Sequence, residues 1–309
     1  MEGLLSTTDK FGRRADLFND IKEIGWTTTP FFASLTAKAP ASDTNSSFGH
    51  EWNYMNIPQG SDTNAYDEGS APAPATKFGG GNAKNHYQIF KDTYGVTGSE
   101  DVGTETDGKK AKARQMAMSS FDHRMSIERA LLSATAPVQR DNTVGAKVAG
   151  KLGGVKHFLT VNNDFDMSVA GVGTALTWKI LREILKPGFF SNMPVRILMM
   201  NDTQKDALDD ILFSKTTGTS FASERLDNNI TMIGNTAYGN NIKVIVSPFL
   251  AQDEILAYNP EFVNPVVYRP TFSKDIPSGD DVNAGQFITE MTLRVHHELA
   301  ICRLKGLAV

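Results

Sequence analysis

The sequence predicts an α+β protein built from distinct parts, and three observations carry that reading. A helix-period segment of unusual length fills residues 108–136, strand-period runs fill residues 266–305, and residues 40–108 hold only scattered apolar anchors among Gly, Pro, Ser, Asn, Asp and Thr. With 309 residues, 40% apolar and 21% charged, the chain can bury a real core and is neither disordered nor fibrous. The formal net charge of −4 argues against a protein that grips nucleic acid by overall charge, although a local basic face is compatible with it. Cys302 stands alone, which excludes an internal disulfide framework and any multi-cysteine metal site, so folding inside a cell is the simplest expectation. No run approaches the ~18 consecutive apolar residues of a membrane-spanning helix, and residues 1–14 lack the pattern of a secretory signal.

In chain order, Asp16 or Asn19 is placed to cap a short helix in an N-terminal arm, with Thr29-Pro30 as its stop. Two extended runs, FGHEWNYMNIP and HYQIFKDTYGVTG, flank a Pro/Gly-rich stretch and read as a long hairpin or extended loop. A structureless segment of that length is unusual inside a compact domain, so it is expected to reach for a partner elsewhere. Residues 108–136 form a helix spanning roughly 40 Å, with Met118, Phe121, Met125 and Leu132 on its apolar stripe and Ala113, Ala117 and Leu131 nearby. A second helix over 174–186 gathers Leu176, Ile180, Leu181, Ile184 and Leu185 on one face and is expected to end at Pro187-Gly188. PVRILMM then reads as a strand buried on both faces, and Asn201 with Gln204 as a capping box opening a helix that carries Leu208, Ile211 and Leu212. Strands follow at ITMIG and NIKVIVSPF, joined by a turn at 238–241. Two long extended runs around SGDDVNAG close the chain; in the second, Ile288, Glu290 and Thr292 share one face, and Thr289, Met291, Leu293, Val295 and His297 the other.

Candidate chemistry is thin. The glycines of residues 78–82 lack the Lys-Ser/Thr of a phosphate loop and read as a flexible tip. His296 and His297 point to opposite faces of a strand and do not chelate one ion easily. Cys302 sits in an apolar context expected to bury it as an inert thiol. Neither HExxH, GxSxG nor a strand-following GxGxxG occurs, so no catalytic residue, cofactor or metal ligand is expected. The basic run Lys109, Lys110, Lys112 and Arg114, preceded by Glu100, Asp101, Glu105 and Asp107, reads as a solvated or intersubunit face, with a DNA-facing role as the alternative.

The order of parts resembles the major capsid proteins of tailed phages with the Hong Kong 97-type fold. Local residues in the same order resemble a subgroup of them: Thr29-Pro30-Phe31, Phe48-x-x-x-Trp52, Asn85 with Gln88-Ile89, Ser126-Ile127-Glu128 with Leu131-Leu132, Ser278-Gly279-Asp280, Glu290-x-Thr292-Leu293 and Glu298-x-Ala300. The resemblance implies an N-arm over 1–42 and an E-loop over 43–103. It further implies a P-domain over 104–149 and 263–298, with spine helix and β-hairpin, and an A-domain over 150–262 and 299–309. It implies a non-enzymatic subunit that forms hexamers and pentamers of an icosahedral head around double-stranded DNA. Its implied partners are scaffold, portal and decoration proteins, with assembly in the host cytoplasm and residence in the virion, and with no membrane and no cofactor. Leu17, Phe18, Phe31 and Phe32 would hold the arm, and Phe48, Trp52, Tyr54 and Tyr87 the loop, against a neighbour; Lys109, Lys110, Lys112 and Arg114 complete the expected interface. The arm is expected to leave little room for a fused scaffolding domain, so that scaffolding is expected to be either a separate protein or a propeptide already removed. Lys77, Lys84 and Asn82 are what any loop of this composition contains, so no cross-link is expected. The rival readings are an encapsulin-like compartment of the same fold and a monomeric enzyme or binding protein with a polar lid loop.

Overall fold

The computed structural model describes residues 27–40, 49–55, 57, 60–73, 75, 77–103, 109–143, 145, 147–169, 171–216, 232–233, 238, 241–277 and 280–309. The expected helix start at Asp16 or Asn19 lies outside them, as do Leu17, Phe18 and Phe48.

Helix α1 (Pro30–Ser34) begins at the proline read as a stop, because a proline at the first helical position gives up only an N–H that has no intrahelical partner. Strands β1 (His50–Met55) and β2 (Gly80–Asn85) pair antiparallel, His50 opposite Asn85 and Met55 opposite Gly80. The partner of β1 is thus the glycine-rich stretch read as a flexible tip. The aromatic run after it forms β3 (Gln88–Thr97), which belongs to another sheet. The glycines have a packing reason. A Cβ on Gly81 would lie 2.4 Å from the Tyr54 ring, so a bare strand is what lets the cross-strand aromatic lie down on it.

After the short α2 (Gly98–Val102), α3 (Ala111–Leu132) is the long helix the sequence predicts. Its buried positions are Ala111, His123, Ile127, Glu128, Leu131 and Leu132; Leu131 and Leu132 belong to the expected stripe, whereas Met118, Phe121 and Met125 are half-buried. Two polar residues, His123 and Glu128, also sit on the inward face, which a reading of apolar positions alone misses. Strand β4 (Asp164–Asp166) and α4 (Trp178–Phe190) follow, the helix capped by Thr177, whose Oγ1 accepts the Ile180 N–H at 3.3 Å. Pro187 does not end α4. It lies in the last turn, and the stop is Asn192 in the left-handed region (φ 58), with Met193 N–H closing onto Gly188 O at 2.7 Å.

Strand β5 (Ile197–Met200) is buried throughout, and α5 (Asp202–Thr216) follows. The predicted capping box is absent: Gln204 Nε2 donates to Gln252 O at 2.9 Å and Ala308 O at 2.8 Å, tying down the end of the chain instead of reaching back to Asn201. The remaining strands are β6 (Met232–Ile233), β7 (Ile242–Val246), β8 (Ile255–Tyr258), β9 (Val263–Ile276), β10 (Val282–Val295) and β11 (Ile301–Lys305). They complete a three-stranded sheet ordered β3-β10-β9 and a six-stranded sheet ordered β4-β11-β8-β5-β7-β6. In the latter β5 runs parallel to β7 and β11 parallel to β4, while β8 is antiparallel to both β5 and β11.

The chain gathers into two compact units, whose boundaries fall within α3, β3, β9 and β10. In the unit of Lys91–His123 and Phe272–Ile288, Tyr94 packs on Phe287 at 5.4 Å and its hydroxyl meets Ser273 Oγ at 2.8 Å. His123 Nδ1 is bonded to Asp92 there at 2.6 Å. The unit of Thr29–Phe90, Arg124–Thr271 and Thr289–Val309 holds the six-stranded sheet, covered on both faces. Alternation assigns Ile197, Met199, Leu256, Tyr258 and Ile301 to a core with Phe31, Ile127, Leu131, Met291 and Leu293. Leu198, Met200, Ile255, Ala257, Cys302 and Leu304 face a second core with Leu181, Ile184 and Leu185 of α4 and Leu208 of α5.

Candidate assembly interface

The β1–β2 hairpin is seated by its own residues. Trp52 is buried, its ring 6.2 Å from Phe158, and Tyr54 stands edge-on to His297 at 5.0 Å. Asn85 is fully buried: Nδ2 donates to Gly153 O (2.9 Å) and Leu293 O (2.7 Å), and Oδ1 accepts from Gly153 N (2.7 Å) and His86 N (2.8 Å). One amide therefore ties the returning limb of the hairpin to the loop after α3 and to β10. Beyond this foot, Met55 (75% exposed), Ile57 (85%), Tyr66 (63%) and Phe78 (56%) present large apolar side chains to solvent along one loop. These four large apolar side chains stand exposed in a stretch otherwise rich in Gly, Pro, Asn and Asp and are available to another molecule.

The arm has a comparable anchor. Glu128 on α3 accepts N–H bonds from Phe31 at 2.6 Å and Phe32 at 2.8 Å, and so caps α1, whose own Thr29 makes no side-chain cap. Burial raises the Glu128 carboxyl above the usual carboxylate range, with the two backbone bonds working the other way. Phe31 then packs edge-on to Tyr258 at 5.2 Å.

The expected interface residues fall into distinct settings. Phe31 (0% exposed), Trp52 (7%) and Tyr87 (1%) spend their surface inside this chain, where they hold arm and hairpin in place, and offer little of it to a neighbour. Phe32 and Tyr54 are half-buried. Within the basic run, Lys110 Nζ closes the end of α2 by donating to Asp101 O (3.2 Å), Val102 O (3.0 Å) and Gly103 O (3.4 Å). Lys112 donates to Asn283, which in turn donates to Asp101 at 3.1 Å. Lys109 is exposed and Arg114 half-buried. The anchoring roles of Glu128 and Asn85 do not show in the sequence: each sits in the resembling motifs, but a buried polar role has no local signature in one sequence.

The remaining chemical candidates have plain settings. Burial pushes the Cys302 thiol up to about 12, which leaves it an unreactive core residue. His296 packs on Phe262 at 6.2 Å and His297 Nδ1 accepts the Leu299 N–H at 3.1 Å. Among the described residues no group of three or more His, Cys, Asp or Glu is placed to hold a metal, and no helix is long and apolar enough to cross a membrane.

The long hairpin, the arm capped from a lone long helix, the sheet of extended strands and the six-stranded mixed sheet define a capsid subunit of the Hong Kong 97-type fold. Solved structures share it over nearly their full length. The capsid asymmetric unit of cyanophage A-1(L) is similar at 13% identity and TM-score 0.65, covering 96% of this chain and 98% of that one. The capsid of a native GTA particle is similar at 10% identity and TM-score 0.69, with 98% of each chain covered. The holo-SrpI encapsulin complex from Synechococcus elongatus PCC 7942 is similar at 10% identity and TM-score 0.59, covering 95% and 93%. These likenesses are of fold. No curated protein matches the sequence. The model of the SU10 major capsid protein family matches residues 4–308, and the chain belongs to that family. It is a major capsid protein, a structural component of the virion that associates with copies of itself.

Proposed function

We propose that this chain forms the hexamers and pentamers of a tailed-phage head that encloses double-stranded DNA, and that it does so without enzymatic activity. The observation that carries the reading is a polar hairpin anchored at its foot by Asn85 and Trp52 while its far part exposes Met55, Ile57, Tyr66 and Phe78. A closed shell requires subunits to exchange such surface. Residues 1–42 serve as N-arm, 43–103 as E-loop, 104–149 with 263–298 as P-domain and 150–262 with 299–309 as A-domain. Phe32 and Tyr54, with Leu17, Phe18 and Phe48, meet neighbours directly; Phe31, Trp52 and Tyr87 act by fixing the elements that do. Lys109, Lys110, Lys112 and Arg114 form a charged intersubunit face. Scaffold, portal and decoration proteins are the further partners, DNA is met by proximity without sequence readout, and assembly takes place in the host cytoplasm.

The test is the content of particles formed when the chain is expressed with its neighbouring phage genes. Particles holding DNA support a head. Particles holding a cargo protein in place of DNA support the compartment reading, which the likeness to the SrpI encapsulin keeps in view. A soluble monomer whose stability shifts with a small ligand would overturn both.

A further inference from the structure

Two of the six histidines, His50 and His296, converge with Arg294 at the foot of the β1–β2 hairpin, and a third, His86, lies against the turn that leads into it. Gly49 leads into β1 with φ +87, and a Cβ there would lie 2.7 Å from Asn85 O and 2.9 Å from His86 Nδ1, so the His86 ring lies hard against the turn. The His50 ring stacks on Trp52 at 5.7 Å and is 6.4 Å from Tyr87. From β10, Thr292, Arg294 and the following His296 alternate onto one face. His50 Nε2, His86 Nδ1, Arg294 Nε, Tyr87 Oη and Thr292 Oγ1 are all buried with no hydrogen-bond partner among the described residues.

Around His50 and His296 the charged surroundings are one-sided. Arg294 and His296 act on His50, Lys84 on His86, and Arg294 and Lys38 on His296. The carboxylates acting here are engaged: Glu51 pairs with Lys84 at 2.8 Å while favouring the charged form of His86, and Glu290, which acts on Tyr87, holds Arg140 at 2.6 Å and Arg269 at 2.7 Å. His297 faces Tyr54, and Tyr268 lies 5.4 Å from Tyr87. A proton arriving on His50 or His296 therefore meets cations, and among the described residues no carboxylate acts on either.

We propose that this cluster is a proton-operated latch: with neutral imidazoles the hairpin foot stays seated on β10, and protonation gathers like charge around Arg294 and loosens β1 and β2. Burial lowers all three imidazoles below their ordinary 6.5, with the neighbouring cations acting in the same direction. Their contribution to the seated state is full above 6.5 and is lost as pH falls through the lowered folded-state values. Asn85 bonds do not titrate in this range, so acid loosens the hairpin without unfolding the body.

Hydrogen–deuterium exchange of the full chain at about pH 7.5 and about pH 5.5, corrected for intrinsic exchange, reads the latch directly. The expected result is a several-fold loss of protection at acid pH in His50–Met55 and Gly80–Asn85, with β5 and β7 unchanged, and no such loss in H50Q/H86Q/H296Q. Unchanged hairpin protection in the wild type, or an equal loss in the triple variant, overturns the proposal. If that variant does not fold, imidazole titration of the wild type by NMR decides: all three groups titrating at or above their ordinary value would also overturn it.

Discussion

Replacing Glu128 with Ala tests whether the arm is held by one buried carboxylate. The substitution strips the partner from two backbone donors, Phe31 N–H at 2.6 Å and Phe32 N–H at 2.8 Å, the first of them buried. A buried donor left unpaired costs about 1–3 kcal/mol, and the half-exposed Phe32 donor recovers part of its bond from water. Burial already holds the carboxyl above its usual range, so removing the charge returns some of that cost. The balance is a loss of about 2 kcal/mol, which in a domain of this size lowers Tm by about 4 °C. Glu128→Gln keeps one acceptor and should lose roughly half as much. The pH dependence has a definite sign. A carboxyl raised in the folded state gives its stabilisation below its unfolded value and loses it as pH rises through the folded value, so the advantage of wild type over Glu128→Gln shrinks with rising pH. Thermal unfolding and chymotryptic cleavage at Phe31 and Phe32 report both effects. A Glu128→Ala protein with unchanged Tm and an uncut arm would refute the anchoring argument.

Three further expectations concern single sites. Asn85→Ala removes four hydrogen bonds from one buried amide and should cost about 3 kcal/mol, read by denaturant titration and by faster proteolysis of residues 50–85. Gly81→Val drives a branched side chain into the Tyr54 ring and should destabilise the hairpin by about 1–3 kcal/mol; adding Tyr54→Ala should restore much of the loss in the same titration. Cys302, with its thiol pushed up to about 12, should resist iodoacetamide at neutral pH in the native chain and react fully in denaturant, as mass spectrometry would show.

What the sequence discloses follows from whether a signal is local. The α3 helix, the buried β5 strand and the core face of α4 carry their own periodicity, and they lie where the pattern places them. The pairing of β1 is hidden because Gly80 and Gly81 look like a flexible tip in sequence, and Tyr54 across the hairpin is what explains them. Pro187 misled for a related reason: a proline in the last turn costs little, and Asn192 in the left-handed region sets the end. Gln204 was read as a cap because the spacing fits, whereas its partners are Gln252 and Ala308, far away in sequence. Glu128 and Asn85 belong to the same class, since a buried polar anchor is defined by what it reaches and not by its neighbours in the chain.

The claim that this chain is a shell subunit is tested most directly by electron microscopy of the purified protein, expressed alone and then with the scaffold proposed for it. The account predicts rings of five and six, tubes or closed shells. A uniform field of 33.7 kDa particles under both conditions would contradict it.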